Sequence, residues 1–399
     1  MMKKNIALCL ILLILVPMTL RASASGFEDL PPDSSPMDEA ANNAGDANDA
    51  DDANNAGNAP GGGLDMPSSE QGGGYSEPDD AKARVITISA VGDTTLGGNM
   101  KGNPKTTIYT REFDRQSGDY GFAFRNTWHI FEADDVTIAN FEGTLTDSTK
   151  AGNNNKYQFR APPSHVEVLK RGSVEMVTLE NNHILDFGQK GLEDTKAALD
   201  AAGVEWAYGD HFAQYSVDGF VVGLLAYQTF GGTHDRIIAR LPDDIQRART
   251  ACDFIVVYYH WGSEEDYYPN SNQLRLGRAT VDAGADLVLG AHSHRINPIE
   301  LYNGKYIVYS LSNFSFSGNA RPKDMRSFIF QCKVDTKTAK VTDMRIIPIR
   351  ISSQPDVNDF APIPLPPGSA AYKSTLEDMV KNGKNLKYGL SVYKTEWTQ

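Results

Sequence analysis

The hydrophobic and polar positions of this 399-residue chain change character at about residue 84. Before that point the one long apolar run is Ile6 to Leu20, and Asp, Asn, Ala, Gly and Pro dominate the rest. From Arg84 onward, short apolar runs typical of strands alternate with segments that have helical periodicity. Such alternation is typical of a mainly parallel sheet covered by helices, and it predicts the α/β fold class.

The predicted elements follow one another closely from residue 84 to residue 352. The strands are expected at 84–91, 135–140, 175–179, 220–227, 253–260, 286–290 and 306–310, and the helices at 164–171, 189–202 and 271–283. Two more strands, 327–334 and 340–351, follow each other across a turn and predict an antiparallel edge. We therefore expect one folded domain at 84–352 and a C-terminal extension at 353–399, with a proline-rich segment and a short helix.

The first 83 residues have the pattern of an export signal followed by a linker. Lys3 and Lys4, the apolar run and Ala22-Ser23-Ala24 predict a signal peptide over residues 1–24, with an uncleaved membrane tether as the alternative. Residues 25–83 contain few large apolar side chains and predict a disordered acidic linker. In either case we expect the folded domain to be secreted or extracytoplasmic, in the periplasm or at the cell surface.

The net charge of −13 comes mainly from the N-terminal segment. The first 80 residues hold 14 acidic and three basic residues, so the remaining chain is nearly neutral. The sequence has no basic stripe of the kind that would predict a nucleic-acid partner. Of the three cysteines, Cys9 lies in the apolar run, and Cys252 and Cys332 lie in or beside strand-like segments. We expect the last two to be buried and free, although the sequence leaves a disulfide between them open.

Side chains that can bind metals follow five of the predicted strands, where each strand ends. They are Asp93, Asn140 with Glu142, Asn182 with His183 and Asp186, His260, and His292 with His294. Alone, each has an ordinary explanation as a turn residue, a helix cap or a packed histidine. Together they lie where open α/β sheets place their sites, and carboxylates with imidazoles suit manganese, zinc or iron. The sequence therefore predicts a site for one or two divalent ions.

These five segments, in this order and spacing, resemble the CapA or poly-γ-glutamate capsule synthesis family, which is itself similar to calcineurin-like metallophosphoesterases. The resemblance runs from about Ile86 to Ile351. It includes the segments 181–188, 260–264, 284–294 and 309–314. It implies a four-layer α/β/β/α sandwich with the site at one edge of the two sheets.

The resemblance also implies roles for individual residues. The implied metal ligands are Asp93, Glu142, Asn182, His260, His292 and His294. His183 would be a general acid near the leaving group, and Asp186 would orient it. Thr95 stands where phosphoesterases have a histidine, Gly97-Gly98 where the family often has an arginine, and Ser312-Asn313 where Gly-Asn is usual. The missing imidazole leaves open whether the site holds one ion or two.

The function that the resemblance implies is a secreted hydrolase or transferase of capsule or cell-envelope polymer synthesis. Its substrate would be a phosphorylated small molecule or an anionic polymer, and the capsule-synthesis machinery is a further expected partner. The alternative is a non-catalytic polymer-binding or export partner with a degenerate metal site. Candidates for substrate contacts are Arg160, Trp261, Glu264 and Asn313, and the aromatic Trp261 has ordinary packing as an equal alternative.

Overall fold

The computed structural model describes residues 84–101 and 107–398. The predicted signal peptide and linker lie outside these described residues. Within them, no helix combines the length and the apolar character that crossing a bilayer requires.

The strands and helices alternate over most of the described chain. The strands are β1 (Val85–Thr95), β2 (Gly98–Asn99), β3 (Val136–Phe141), β4 (Thr144–Leu145), β5 (Phe159–Ala161), β6 (Met176–Thr178), β7 (Glu205–Ala207), β8 (Ala213–Val217), β9 (Phe220–Gln228), β10 (Phe254–His260), β11 (Leu287–Ala291), β12 (Ile299–Tyr302), β13 (Lys305–Val308), β14 (Asn313–Phe316), β15 (Arg326–Asp335), β16 (Lys340–Arg350) and β17 (Ile363–Pro364). The helices are α1 (Ile108–Arg115), α2 (Trp128–Phe131), α3 (Val166–Arg171), α4 (Gly188–Ala202), α5 (His234–Arg249), α6 (Ser271–Asp282) and α7 (Ala370–Gly383), and a 3-10 turn, Pro163–His165, precedes α3.

Two large sheets carry the fold. The first has the strand order β17-β16-β15-β1-β3-β6-β7, with β14 beside the end of β1, and the second has the order β12-β13-β11-β10-β9-β8. The central pairs β1–β3, β3–β6, β9–β10 and β10–β11 are parallel, whereas β15 pairs antiparallel with β1 and β16. The predicted α/β class and late antiparallel strands are confirmed. The alternation alone does not reveal which strands share a sheet; the two sheets follow from the family resemblance.

The packing of the two sheets confirms the four-layer sandwich. Ile88 of β1 and Val256 of β10 belong to one buried cluster between the sheets. On the outer face of the first sheet, Val177 packs with Leu192 of α4. On the outer face of the second, Val257 packs with residues of α5 and α6. The layer order is therefore helix, sheet, sheet, helix, and it exposes the carboxyl ends of the parallel strands at one edge.

Local sequence signals fix some helix ends and hide one helix. α6 begins at a capping box in which Asn270 and Gln273 each accept a hydrogen bond from the other's backbone N–H. α4 ends at Gly203, whose φ of 72° is the left-handed value that favours glycine. Three helices, α1, α2 and α5, are missing from the predicted elements, and α5 contains Pro242, a residue that usually ends a helix.

The C-terminal extension packs against both sheets. Met379 of α7 and Tyr393 are buried in the cluster between the sheets. The N–H of Ile346 in β16 donates to the Lys394 carbonyl at 2.8 Å, and the N–H of Ile299 in β12 donates to the Tyr393 hydroxyl at 3.0 Å. Residues after β16 thus complete the core. Cys252 and Cys332 are buried and free, as predicted.

Two partly buried carboxyl groups lie at the amino ends of β3 and β6, opposite the strand ends that carry the candidate ligands. Asp134 accepts a hydrogen bond from the Thr137 hydroxyl at 2.8 Å, while its other oxygen is buried without a partner. Glu175 accepts from the Thr137 backbone N–H at 2.7 Å. Burial raises the pKa of Asp134 to about 8 and that of Glu175 to about 7.

We expect the free energy of unfolding to fall as the pH rises from about 4 to about 8. Over that range the folded protein keeps Asp134 protonated, whereas the unfolded chain, with an ordinary carboxyl pKa, has released the proton. Asp134→Asn should therefore stabilise the protein by about 1–2 kcal/mol at alkaline pH and flatten the pH dependence. Urea unfolding at two pH values measures this, with the exposed neighbour Glu132→Gln as the control. Equal pH slopes for wild type and Asp134→Asn would contradict the assignment.

Candidate metal centre

The predicted ligands meet at the carboxyl ends of four parallel strands. Asp93 lies near the end of β1 and Glu142 directly follows β3, in the first sheet. His260 ends β10 and His292 follows β11, in the second sheet. Since both sheets present these ends at the same edge of the sandwich, side chains far apart in sequence converge there.

A close backbone crossing positions Asp93. The β1 ladder is irregular between Val91 and Asp93, and the Asp93 N–H donates to the Ser312 carbonyl at 3.0 Å. A Cβ on Gly92 would lie 1.8 Å from that same carbonyl oxygen. Only glycine allows the approach, so Gly92 is required for β1 to place Asp93 beside β14.

Three buried side chains form the centre of the site. Asp93, Glu142 and His260 have potential ligand atoms that all lie within 4.8 Å of one another. The Asn140 amide donates to Asp93 Oδ1 at 2.7 Å and lies 3.2 Å from Nδ1 of His260. Both carboxylate oxygens of Glu142 are buried without a hydrogen-bond partner. An uncompensated buried carboxylate is costly, and a cation between these three residues would remove the cost.

The other three implied ligands surround this cluster. Nε2 of His260 lies 2.8 Å from Oδ1 of Asn182 and 3.0 Å from Nδ1 of His292. Nδ1 of His294 lies 3.1 Å from Oδ2 of Asp93. His292 and His294 have φ values of 93° and 52°, in a region that non-glycine residues rarely adopt. All six residues named from the sequence are thus brought together, and two of them are held with backbone strain, as is common at functional sites.

Burial sets the protonation of the site. It raises the pKa of Glu142 well above the usual range, and the nearby Asp93 carboxylate adds to the effect. It lowers the pKa of His260 well below the usual range and that of His292 to about 4. For His294, burial also acts to lower the pKa, but hydrogen bonds to Asp93 and Asn313 raise it overall. His260 and His292 are neutral at pH 7, the form in which an imidazole binds a metal.

His183 and Asp186 form a pair beside the cluster. Nδ1 of His183 donates to Oδ2 of Asp186 at 2.7 Å, and Nε2 lies 3.7 Å from Oε1 of Glu142. The Phe159 N–H donates to the same Asp186 oxygen at 2.8 Å. Asp186 is thereby fixed, and it holds the His183 ring with Nε2 directed toward the metal centre.

Thr95, which stands where phosphoesterases have a histidine, has a structural role. Its side chain is buried, and its hydroxyl donates to the Glu142 carbonyl at 2.6 Å. Thr95 therefore supports the backbone of Glu142 where an imidazole would supply a ligand. The site retains the other six implied ligands.

A cavity of about 290 Å³ opens beside the cluster. We name it the His183 cavity; its lining includes His183, Glu264, His294, Asn313 and Phe316. Two of the predicted substrate residues, Glu264 and Asn313, thus lie where a substrate would bind. Arg160 does not line it, and its guanidinium donates to the carbonyls of Asp147 and Ser148.

The sequence reasoning missed three cations that line this cavity: Arg295, Arg321 and Lys323. Arg295 directly follows His294 and could have been found by that adjacency. Arg321 and Lys323 belong to the loop after β14, whose position depends on the tertiary fold. No local pattern in the sequence indicates them.

The assignment of Trp261 as a substrate residue is wrong. Its side chain is 0% exposed and belongs to the cluster between the second sheet and its helices. The ring stacks on Tyr259 at 4.4 Å, and its indole N–H donates to the Tyr309 carbonyl at 2.8 Å. Because neighbouring strand residues point to opposite faces, Trp261 faces away from His260 and the metal centre.

Trp261→Phe is expected to lower the free energy of unfolding by about 1–3 kcal/mol, because it leaves the buried Tyr309 carbonyl without its donor. Metal content should not change. Urea unfolding and elemental analysis of the same preparation test both statements. A variant of unchanged stability would show that the indole N–H bond is unimportant.

The chain is similar to proteins of bacterial capsule synthesis. The family model described as bacterial capsule synthesis protein PGA_cap matches residues 87–317. The PGA biosynthesis protein CapA of Bacillus subtilis is 29% identical over 323 residues, which cover 75% of this chain and 82% of that protein. A probable polyglutamine synthesis accessory protein of Mycobacterium tuberculosis is 26% identical over 324 residues, covering 67% of this chain and 85% of that protein.

Solved structures with a similar arrangement have low sequence identity. A phosphatase from Mycoplasma pneumoniae is 12% identical with a TM-score of 0.44, over 67% of this chain and 94% of that one. A 5'-nucleotidase from Candida albicans is 10% identical with a TM-score of 0.39, over 76% and 57% of the two chains. These values do not identify an activity. The family match covers more than half of the sequence, and the chain belongs to the bacterial capsule synthesis PGA_cap family.

Proposed function

We propose that this protein is an extracytoplasmic, metal-dependent hydrolase or transferase that acts on an anionic polymer of the capsule or cell envelope. Membership of the capsule synthesis family supports the biological setting, and the names of its relatives make poly-γ-glutamate the first polymer to test. The location rests on the N-terminal sequence pattern of residues 1–24.

The observation that carries the proposal is the unpartnered carboxylate of Glu142 beside Asp93 and His260. A folded protein seldom buries a charge without a partner, and these donors suit manganese, zinc or iron. A bound divalent ion would supply Lewis-acid chemistry at the mouth of the His183 cavity. Asp93, Glu142 and His260 would hold one ion, and Asn182, His292 and His294 adjoin them.

The residues around the centre support proton transfer. The bond to Asp186 leaves Nε2 of His183 as the ring atom that faces the centre. At 4.3 Å between ring centroids, Phe159 packs on His183 and limits the access of water. An imidazole held in one orientation by a carboxylate is suited to deliver a proton to a leaving group.

The charges of the His183 cavity support an anionic substrate. Arg321 and Lys323 line it, and neither forms an ion pair with another described residue. Arg295 pairs with Glu265 at 3.3 Å and donates to the His294 carbonyl at 2.8 Å. The first two cations are therefore available to carboxylate or phosphate groups, which fits a γ-glutamyl polymer and a phosphoester equally well.

The assay that tests the proposal compares metal-loaded and chelator-treated protein on poly-γ-glutamate and on bis(4-nitrophenyl) phosphate. Release of shorter chains or of nitrophenol by the metal-loaded protein alone supports catalysis. The presence of Thr95 in place of a histidine favours one alternative, a non-catalytic polymer-binding partner. Metal-loaded protein that binds poly-γ-glutamate and leaves both compounds uncut would establish that alternative.

A further inference from the structure

A second cavity, of about 360 Å³, lies at the same edge of the sandwich. We name it the Phe230 cavity. Its lining comes from β9, the start of α5 and the turns after β6 and β7, and it consists of Glu180, Gly209, Ala226, Tyr227, Gln228, Phe230, Thr233, Arg236, Ile237 and Arg240. It shares no lining residue with the His183 cavity.

In the first sheet, the two cavities extend beyond β1 and β3, the strands that carry metal ligands, in opposite directions. Along β14-β1-β3-β6-β7, the His183 cavity reaches β14 through Asn313 and Phe316, and it also includes His183, which follows β6. The ligands Asp93 and Glu142 lie at β1 and β3. The Phe230 cavity follows at Glu180 and Gly209, which come after β6 and β7.

The second sheet places the metal centre between the two cavities. Along β11-β10-β9, the His183 cavity is lined by His294 and Arg295, which follow β11. The ligand His260 ends β10, and the Phe230 cavity is lined by Tyr227 and Gln228 of β9. The second sheet therefore presents one cavity, then the metal centre, then the other cavity, whereas in the first sheet the His183 cavity has lining residues on both sides of the ligand strands.

The Phe230 cavity directly adjoins the metal centre. The Phe230 ring lies 4.8 Å from the His292 ring and 5.8 Å from the His260 ring, measured between centroids. Phe230 is 36% exposed, so its other side is open to the cavity. Its two neighbours, Gly231 and Gly232, have φ values of 71° and 74°, which glycine adopts without strain.

Each cavity is lined by a basic side chain that forms no ion pair with a described residue. In the Phe230 cavity this is Arg236, which is exposed and forms no ion pair with a described residue. Arg240 is already paired with Asp244. Glu180, the one carboxyl group of that lining, accepts a hydrogen bond from the Gly209 N–H at 2.9 Å. Arg236 thus corresponds to Arg321 and Lys323 on the opposite side of the metal centre.

We propose that the two cavities are the halves of one groove, which binds a linear anionic chain across the metal centre at an internal position. This inference rests on the proposed function and specifies how the polymer is bound. A compact phosphoester or the end of a chain needs one cavity, whereas a chain that continues on both sides of the reacting bond occupies two. Arg236 and Phe230 are then specificity-determining residues for chain length.

The test measures the affinity of the full, metal-loaded protein for a short γ-linked glutamate oligomer and for one long enough to reach both cavities. Wild type should bind the long oligomer more tightly. Arg236→Gln should weaken binding of the long oligomer about fivefold, an effect typical of one exposed ion pair, and reduce the gain from length. Phe230→Ala should also reduce that gain. Lys170→Gln removes the same charge from an exposed position on α3 and should change nothing.

The results of this test distinguish a two-cavity groove from a one-sided site and from failure of the proposed function. The two-cavity groove would be overturned if Arg236→Gln and Phe230→Ala both kept the wild-type dependence on oligomer length. Weaker binding in an Arg321→Gln, Lys323→Gln double variant would then leave a one-sided site at the His183 cavity. Metal-loaded wild type that binds neither oligomer would also overturn the inference, with the metal centre intact. Failure of the proposed function itself appears differently, as purified protein that cannot be loaded with metal.

Discussion

Replacing His183 with alanine is expected to lower turnover by about 10²–10⁴-fold, the usual contribution of a general acid or base. Metal content should be unchanged, because His183 lies outside the cluster of Asp93, Glu142 and His260. Its ring is hydrogen-bonded to Asp186. The measurement is turnover of the substrate found in the metal-dependence assay, with elemental analysis of the same preparations.

Two further variants make the His183 result specific. Asp186→Asn keeps the size of the side chain but removes the carboxylate that fixes the ring, so a smaller loss of turnover is expected. His129→Ala removes an exposed histidine of α2 and should leave turnover and metal content at wild-type values. A fully active His183→Ala protein would contradict the assignment of His183 as the proton donor.

Glu142→Gln is expected to have opposite effects on the metal-free and metal-loaded proteins. Without metal, the substitution removes a buried carboxylate that has no partner, so the variant should unfold at a higher temperature than wild type. With metal, wild type should gain about 2.7 kcal/mol when the free ion is at about 100 times its dissociation constant. The variant should lose most of that gain, because it lacks the central anionic ligand.

The measurement is the unfolding temperature of wild type and of Glu142→Gln, each with a chelator and with added manganese or zinc. The control is Glu132→Gln, an exposed substitution of the same kind. Asp324→Asn is unsuitable because Asp324 forms an ion pair with Arg326. A metal-free variant that is less stable than wild type would contradict the account of Glu142 as a buried carboxylate without a partner.

Much of the candidate site could be predicted because it depends on local pattern. A short apolar run that ends in a polar residue marks the carboxyl end of a strand, as at Asp93 and His260. Parallel strands bring such ends to one edge, so the sequence alone indicates that these side chains meet. The six implied ligands and the His183–Asp186 pair are found together for this reason.

The features that were missed depend on packing between distant segments. The alternation of strands and helices alone cannot show that β8 to β13 form a second sheet, since either arrangement buries the same apolar runs, and the two sheets were expected only from the family resemblance. Arg321 and Lys323 reach the His183 cavity through a loop with no periodic pattern. Trp261 is different, because the period of two along β10 already places it on the face opposite His260.

The central claim is that this edge of the sandwich holds a divalent metal ion. Elemental analysis of protein purified without chelators, beside a His292→Ala, His294→Ala double variant, tests it most directly. The account predicts near-stoichiometric manganese, zinc or iron in the wild type and its loss, in whole or in large part, in the double variant. A wild-type protein without metal, even after incubation with each of these ions, would contradict it.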